Sequence, residues 1–287
     1  MTGAGPEVPR GLAERAREIS DGKLTPAVPR DAATVILLRE DQVGVEAFLL
    51  RRTAELEFAP GAYVFPGGSA DEPDADHGVG WAGPGPADFA ALLDVPADRA
   101  RALVCAAVRE TFEESGVLLA GPSEHELVRD SVALAADRHA LLAGSTSLAE
   151  VLGRRGLILR TDLLTPWARW ITPEVSPRRF DTWFFAAALP PGQTAALTTP
   201  AGPGAQPDPG ESDSGTWLRP SAALDAARAG EITLMPPTAV TLSELAGYRD
   251  VDGILAGHRA IVPLMPEVTL EDGRAWLSMP HGTEYPL

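Results

Sequence analysis

Arg109-Glu110-Thr111-Phe112-Glu113-Glu114-Ser115-Gly116-Val117 and, upstream, Phe65-Pro66-Gly67-Gly68 are the stretches on which the fold turns. Residues from about Asp98 to Ser115 read as a helix, because Val104, Cys105, Val108 and Phe112 recur at helical spacing and make one apolar face. At about 100° per residue, Glu110, Glu113 and Glu114 fall at about 0°, −60° and +40° around the axis. Three carboxylates therefore crowd one part of the circumference and repel one another. Gly116 is placed to cap this helix, and the negative end of the dipole disfavours anions there. A solvated acidic face is the plain reading of such a triad. A hard divalent cation reverses both penalties, because Mg²⁺ and Mn²⁺ prefer carboxylate oxygens. The triad by itself leaves both readings open.

The neighbouring residues favour the second. The run from Arg109 to Val117 resembles the R-E-U-x-E-E-x-G-U end of the Nudix box (U aliphatic), with Thr111 at an aliphatic position. Phe65 to Gly68 resembles the loop that opens that box. The chain is thus similar to the Nudix hydrolases. That resemblance implies an α/β Nudix fold, a mixed β-sheet sandwiched between helices, and cleavage of a diphosphate linking a nucleoside to another group. It implies Mg²⁺ or Mn²⁺ as cofactor, held by Glu110, Glu113 and Glu114 with help from a backbone carbonyl of Gly67-Gly68. It also implies that Arg109 orients a carboxylate of the box through a charge-assisted hydrogen bond. An exposed helix ion pair is the bland alternative for Arg109.

The spacing departs from the family pattern. Arg109 follows Gly68 by 41 residues where the usual box has about 14, so about 27 residues are inserted inside the box. Six residues past Gly68 stands Asp74 rather than glutamate, leaving Asp71 and Asp74 as candidates for the first box acid. Downstream, Leu163 to Pro173 and Pro177-Arg178-Arg179-Phe180-Asp181-Thr182-Trp183-Phe184-Phe185 resemble a Nudix subgroup that includes the mammalian peroxisomal coenzyme A diphosphatases. That subgroup also carries an enlarged box. The resemblance runs from about Asp31 to Leu245 and favours coenzyme A or an acyl derivative as substrate. ADP-ribose, NADH and modified nucleotides stay open, and the short coenzyme A signature of other branches is not evident.

The rest of the chain bounds these expectations. With 287 residues, 45% hydrophobic and 22% charged, it has the composition of a globular protein able to bury a core. A net charge of −16 argues against non-specific nucleic-acid binding and against an anionic membrane surface. We expect a small-molecule nucleoside-diphosphate substrate, no nucleic-acid or membrane partner, and, with no signal-peptide core or membrane-length apolar run, a cytoplasmic protein. A single cysteine, Cys105, excludes an internal disulfide and reads as a small buried hydrophobe.

Taken in order, residues 1–30 read as a loosely held extension with a short helix near Gly11–Ser20, and 31–287 as a single domain. Asp31–Arg39 and Val43–Arg51 read as strands, and Tyr63–Phe65 as a short strand into the glycines. The insertion, Ser69–Pro96, carries a helical patch near Asp88–Leu93. It also holds Gly78-Val79-Gly80-Trp81-Ala82-Gly83, a literal G-x-G-x-x-G without the preceding strand and following helix that a dinucleotide turn needs. Glu124–Leu142, Ser147–Arg154, Ser221–Ala229 and Pro236–Leu245 read as helices. Residues 181–189 read as a strand, and about 261–279 as a hairpin turning at Glu271-Asp272-Gly273.

Diphosphate hydrolysis requires charge to be neutralised on phosphate oxygens and a water held in line. The catalytic base varies among Nudix enzymes; Glu211, in a late loop, is the candidate, with an ordinary loop acid as the alternative. Arg178 and Arg179 are candidates to grip phosphate oxygens, with Arg51 and Arg52 next. A structural pair bonded to carboxylates such as Asp181 is the competing reading of the two. No H-E-x-x-H or G-x-S-x-G is present. The competing class is a Nudix-fold nucleotide sensor that does not cleave its ligand, against which the intact glutamate triad weighs.

Overall fold

The computed structural model describes residues 7–54, 59–197, 212–257, 259–271 and 274–287. Arg10–Ser20 is helix α1, followed by strands β1 (Arg30–Glu40) and β2 (Val45–Arg52) with a turn at Asp41. β3 (Ala62–Val64) leads into β4 (Gly67–Ser69), so the glycine loop becomes a strand. The insertion contains β5 (Trp81–Ala82) and α2 (Pro86–Leu93), and α3 (Ala97–Ser115) is the box helix. Beyond it come β6 (Ala120–Gly121), α4 (Ala135–Leu142), α5 (Leu148–Arg155), β7 (Ile158–Arg160), β8 (Thr165–Ile171) and β9 (Phe180–Ala188). The chain then adds β10 (Ser212–Leu218), α6 (Pro220–Arg228), β11 (Thr233–Leu234), α7 (Pro236–Leu245), α8 (Val251–Leu255) and β12 (Pro263–Leu264), closing with β13 (Glu267–Glu271) and β14 (Arg274–Ser278).

The main sheet runs β11-β3-β2-β1-β9-β8-β12, with β10 also on β2 and β4 on β1. It is mixed: β1 pairs antiparallel with β2 and β4 and parallel with β9. One edge of β1 is divided between two partners. Residues 38–40 face β2, whereas Ala32, Ala33 and Thr34 face Ser69, Gly68 and Gly67. β1 is an unbroken apolar run because both faces of the sheet are covered. Val35 and Leu37 face a core shared with Phe48, Leu50, Trp183 and Phe185, against which α3 lays Val104, Val108 and Phe112. Ile36 and Leu38 face the other layer, with Trp167, Leu242 and Ile254.

The helix that organises the site forms for local reasons. Its apolar face is fully buried, and Gly116 ends it at φ 74°, a conformation glycine adopts without penalty. Thr111 occupies the aliphatic position without exposure because its hydroxyl donates to the Ala107 carbonyl at 2.7 Å. Cys105 is buried, and burial pushes its thiol up to about 12, so it has no thiolate with which to react near neutral pH.

The insertion is anchored, with its own strand. Trp81 and Ala82 pair with Leu159 and Arg160 in a small sheet completed by β6, and this two-residue strand sits inside the G-x-G-x-x-G run. The single Thr161 hydroxyl hydrogen is shared between the Ala82 and Pro84 carbonyls, with Oγ1 at 2.9 and 2.8 Å. Phe89 of α2 is buried edge-on against Phe185 of the main sheet.

Three expectations change. The helix expected over Glu124–Leu142 is confined to α4, preceded by a 3-10 turn at Val132–Leu134, because Asp130 accepts from the Val132 N–H and sets up a turn instead. The hairpin is shorter than 261–279, since Pro263 and Leu264 pair with Arg169 and Trp170 of β8; residues 272 and 273 lie outside the described set. Residues 7–30 are tied down in places: Val8 donates to Ala275 O at 2.9 Å, Glu7 pairs with Arg274, and Arg15 reaches Val175 O at 2.7 Å. Among the described residues no helix is long and apolar enough to cross a membrane.

Candidate active site

Register brings the two motifs together. Pairing of β4 with β1 holds Gly67 and Gly68 under α3; close approach of backbone, rather than φ, requires the first and close approach of Glu110 favours the second. A Cβ at Gly67 would lie 2.5 Å from the Ala33 carbonyl oxygen, and one at Gly68 would lie 2.3 Å from Glu110 Oε1. The Gly67 N–H donates to Glu114 Oε2 at 2.7 Å. Glycine loop and glutamate helix therefore meet through one hydrogen bond and one contact in which a side chain would displace the Glu110 carboxylate.

Arg109 is the hub. Nε and Nη2 grip the two Asp74 oxygens at 2.9 Å each, and Nη2 also donates to the Ser69 carbonyl at 2.8 Å. Nη1 donates to Glu110 at 2.8 Å and Glu113 at 3.2 Å. Of the two candidate acids, Asp74 is the one that Arg109 grips. Asp74 is 4% exposed and held by a two-point grip, whereas the Asp71 carboxylate stands 3.8 Å away and is largely exposed. The 3-10 turn Glu72–Ala75 performs the placement, with the Asp71 N–H donating back to Asp74 Oδ2 at 2.9 Å.

The electrostatics follow from three carboxylates, Asp74, Glu110 and Glu113, gathered around one guanidinium. Burial and the neighbouring Glu113 raise Glu110 to about 7, against the pull of Arg109. Burial likewise raises Glu113, with Arg109 opposing. Burial works against the charge on Arg109, but the Asp74 hydrogen bond and the Glu110 and Glu113 charges raise its pKa above the ordinary range. Glu110 and Glu113 thus hold protons in the folded chain that the unfolded chain has released, so stability of the metal-free protein falls as pH rises. For Glu110 that window runs from about pH 4.5 to 7 and is worth at most roughly 3 kcal/mol. We predict that Glu110→Gln flattens this decline, as measured by urea unfolding with a chelator at pH 5 and 7.5. Equal declines in both proteins would show that Glu110 is not the group responsible.

The donor set fits a hard divalent cation: several buried carboxylates, all-oxygen, with too little positive charge of their own. Their present arrangement is an ion-pair network. Among the described residues no three metal-ligating side chains converge on one point, since Glu110 and Glu113 turn to Arg109 and Glu114 turns to Gly67.

The remaining candidates are dispersed. Arg179 is not available to a substrate. It is 7% exposed and donates to the carbonyls of Thr172 (2.9 Å) and Ala27 (2.8 Å), with Met265 Sδ at 3.3 Å. Its expected partner Asp181 instead takes Arg169 and Arg99, whose hydrogen bonds hold that carboxyl below its usual range despite burial. Arg99 also grips Asp31 at 2.6 and 2.9 Å, fastening the start of α3 to β1 and β9. We therefore predict that Arg179→Met lowers the melting temperature by about 5 °C and leaves the kinetics of the folded protein nearly unchanged. A raised KM at unaltered stability would restore it to the substrate. Arg178 is exposed, and Arg51, 48% exposed with Asp213 at 3.9 Å, lies at the β2 end beside β3. Glu211 lies outside the described residues. Two clefts of about 220 and 460 Å³, sharing Glu244 and Arg259, open by Trp167 on the far side of the sheet, and no box acid lines either.

One group escaped the sequence reading. Arg138 of α4 donates from Nε to the Glu113 carbonyl at 2.9 Å and from Nη2 to the Ala196 carbonyl at 3.1 Å. Beside it, Ala196 N–H reaches Ser115 O at 2.8 Å, and Gln193 brackets Leu118 through both its main-chain groups. The end of the box helix is thereby laced to the segment after β9.

Comparison with known proteins agrees with this geometry. The family model described as the NUDT19 Nudix domain matches residues 87–245, more than half of the chain. A Caenorhabditis elegans chain of the nudix hydrolase series is 32% identical over 80% of this chain and 65% of that one. The human acyl-coenzyme A diphosphatase NUDT19 is 31% identical over 74% of this chain and 63% of its own length. The chain thus spans a little under two thirds of the length of these relatives. A crystal structure of a NUDIX hydrolase from Alicyclobacillus acidocaldarius superposes with a TM-score of 0.65 at 28% identity, covering 82% of this chain and 98% of that one. With its mixed sheet between helices and its box helix inside the matched residues, the chain belongs to the Nudix family, in the NUDT19 branch.

Proposed function

We propose that this protein hydrolyses, with Mg²⁺ or Mn²⁺, the diphosphate of a nucleoside-diphosphate-linked metabolite, with coenzyme A or an acyl-coenzyme A as the favoured substrate. The observation that carries the reading is the cluster of Asp74, Glu110 and Glu113 gathered by Arg109, with Glu114 beside it on the Gly67 N–H. The choice of substrate is supported by the likeness to the acyl-coenzyme A diphosphatases.

Glu110, Glu113 and Glu114 would hold the divalent ions, with the main chain at Gly67-Gly68 in support. Such ions neutralise the diphosphate oxygens and acidify a bound water. Arg109 keeps the acids from springing apart and, through Asp74 and the Ser69 carbonyl, fixes the glycine strand against the helix. Glu114 ties the same strand from its other end through the Gly67 N–H. Arg51 and Arg178 are the proposed phosphate contacts, and Glu211 the proposed base. The working compartment we propose is the cytoplasm.

The test is a panel of coenzyme A, an acyl-coenzyme A, ADP-ribose, NADH and modified nucleoside triphosphates with each metal, products being identified by mass spectrometry. Coenzyme A cut at its diphosphate yields 4′-phosphopantetheine and 3′,5′-ADP. Hydrolysis of the thioester with the diphosphate intact would place the protein in another enzyme class. Tight binding without turnover would favour the sensor.

A further inference from the structure

Arg138 is only 8% exposed, yet among the described residues it has no carboxylate within ion-pairing distance. Its neighbour Asp137 is already gripped by Arg154 and Arg155. A buried guanidinium without an ion pair is costly. Burial lowers its pKa to about 10, and the carboxylates of Glu114 and Glu113, acting through space, recover only part of that loss. Two of its nitrogens are committed to the carbonyls of Glu113 and Ala196. The third, Nη1, makes no hydrogen bond among the described residues. A Cβ at position 116 would lie 2.7 Å from Nη1, so glycine there leaves room for the guanidinium.

Capping the last helical carbonyls is a task that a lysine, an amide or a water performs. It does not require a buried charge without an ion pair at the end of the helix that carries the triad. The charge matters to whatever else enters the site. A cation held by Glu113 and Glu114 is repelled by it, and a phosphate oxygen reaching Nη1 is attracted and given a donor.

We propose that Arg138 is a specificity-determining residue of this site, donating through Nη1 to a phosphate of the substrate while weakening the site's hold on the free divalent ion. The inference deepens the diphosphatase reading and rests on it for the identity of the anion. It sets the order of loading: a site so balanced holds metal weakly until the polyanion arrives, because the arginine's charge is then matched.

The test uses Arg138→Lys, Arg138→Gln and Arg138→Met in the full chain. Mn²⁺ binding to the substrate-free protein is read from the paramagnetic resonance of free Mn²⁺. Binding of ADP, an uncleaved nucleoside diphosphate, is read by calorimetry without metal, and thermal unfolding is followed for each variant. The neutral variants should bind Mn²⁺ about three- to tenfold more tightly and ADP at least about tenfold more weakly. Arg138→Lys should keep Mn²⁺ affinity near wild type and lose a smaller share of ADP affinity. Opposite signs are the signature, because a merely structural clamp would weaken both ligands together as the melting temperature fell. A parallel loss, or no change in either affinity, would overturn the proposal. If the neutral variants do not fold, Arg138→Lys decides alone, and unchanged ADP affinity in it would refute the phosphate contact. Failure of the parent reading shows separately, as wild-type protein that turns over nothing in the substrate panel while both binding arms still report on Arg138.

Discussion

Replacing Arg109 with methionine is expected to cost about 3–5 kcal/mol of stability near pH 7.5 in the presence of a chelator. The side chain satisfies Asp74 at two points and reaches Glu110 and Glu113 as well. Methionine fills the space but leaves buried carboxylates facing one another with no counterion. Two conditions should return part of the loss. Lowering the pH toward 5 protonates Glu110, whose value burial has raised to about 7, and moves Glu113, also raised by burial, toward its neutral form. Adding Mg²⁺ supplies the charge directly. Urea unfolding with and without Mg²⁺ at both pH values checks the expectation. A variant within a few tenths of a kcal/mol of wild type in chelator would show that the network carries no stability.

Glu114→Gln is expected to lower diphosphate hydrolysis by at least about a hundredfold with little change in melting temperature. Glutamine keeps an oxygen to accept the Gly67 N–H, so the contact between strand and helix survives. What disappears is a negative charge from the set proposed to hold the metal. Rates with the best substrate of the panel, at saturating Mg²⁺, give the answer. A folded variant with wild-type turnover would remove Glu114 from the metal site.

The box helix was legible because its apolar positions repeat at 3.6 residues and a glycine stands at the stop. The first two strands were legible for a comparable reason, a β-branched apolar run bounded by a turn. β8 and β10 were not. Thr165-Pro166-Trp167-Ala168-Arg169-Trp170-Ile171 carries a proline and an arginine, and Ser212 to Leu218 is polar until its last two residues. Both become strands only because β9 and β2 offer them an edge. The motif residues could be named from sequence, but not their partners. Asp71 and Asp74 differ in the 3-10 turn that buries one of them, and nothing local distinguishes Arg178 from Arg179. Arg138 looks like any arginine on a short amphipathic helix. Its meaning depends on the end of α3, which approaches only in three dimensions.

The parallel pairing of β1 with β9 has a consequence for how the molecule comes into being. Arg30 meets Phe180 and Leu38 meets Ala188, so the middle strand of the sheet waits about 150 residues for the partner on its second edge. During synthesis, the glycine strand and the box helix leave the ribosome long before that neighbour exists. The edge of β1 that β9 will occupy then presents bare amides and carbonyls beside Val35, Ile36, Leu37 and Leu38, a template for pairing with another nascent chain. A chain interrupted before residue 180 would therefore carry both the glycine strand and the box helix and still be driven toward aggregation.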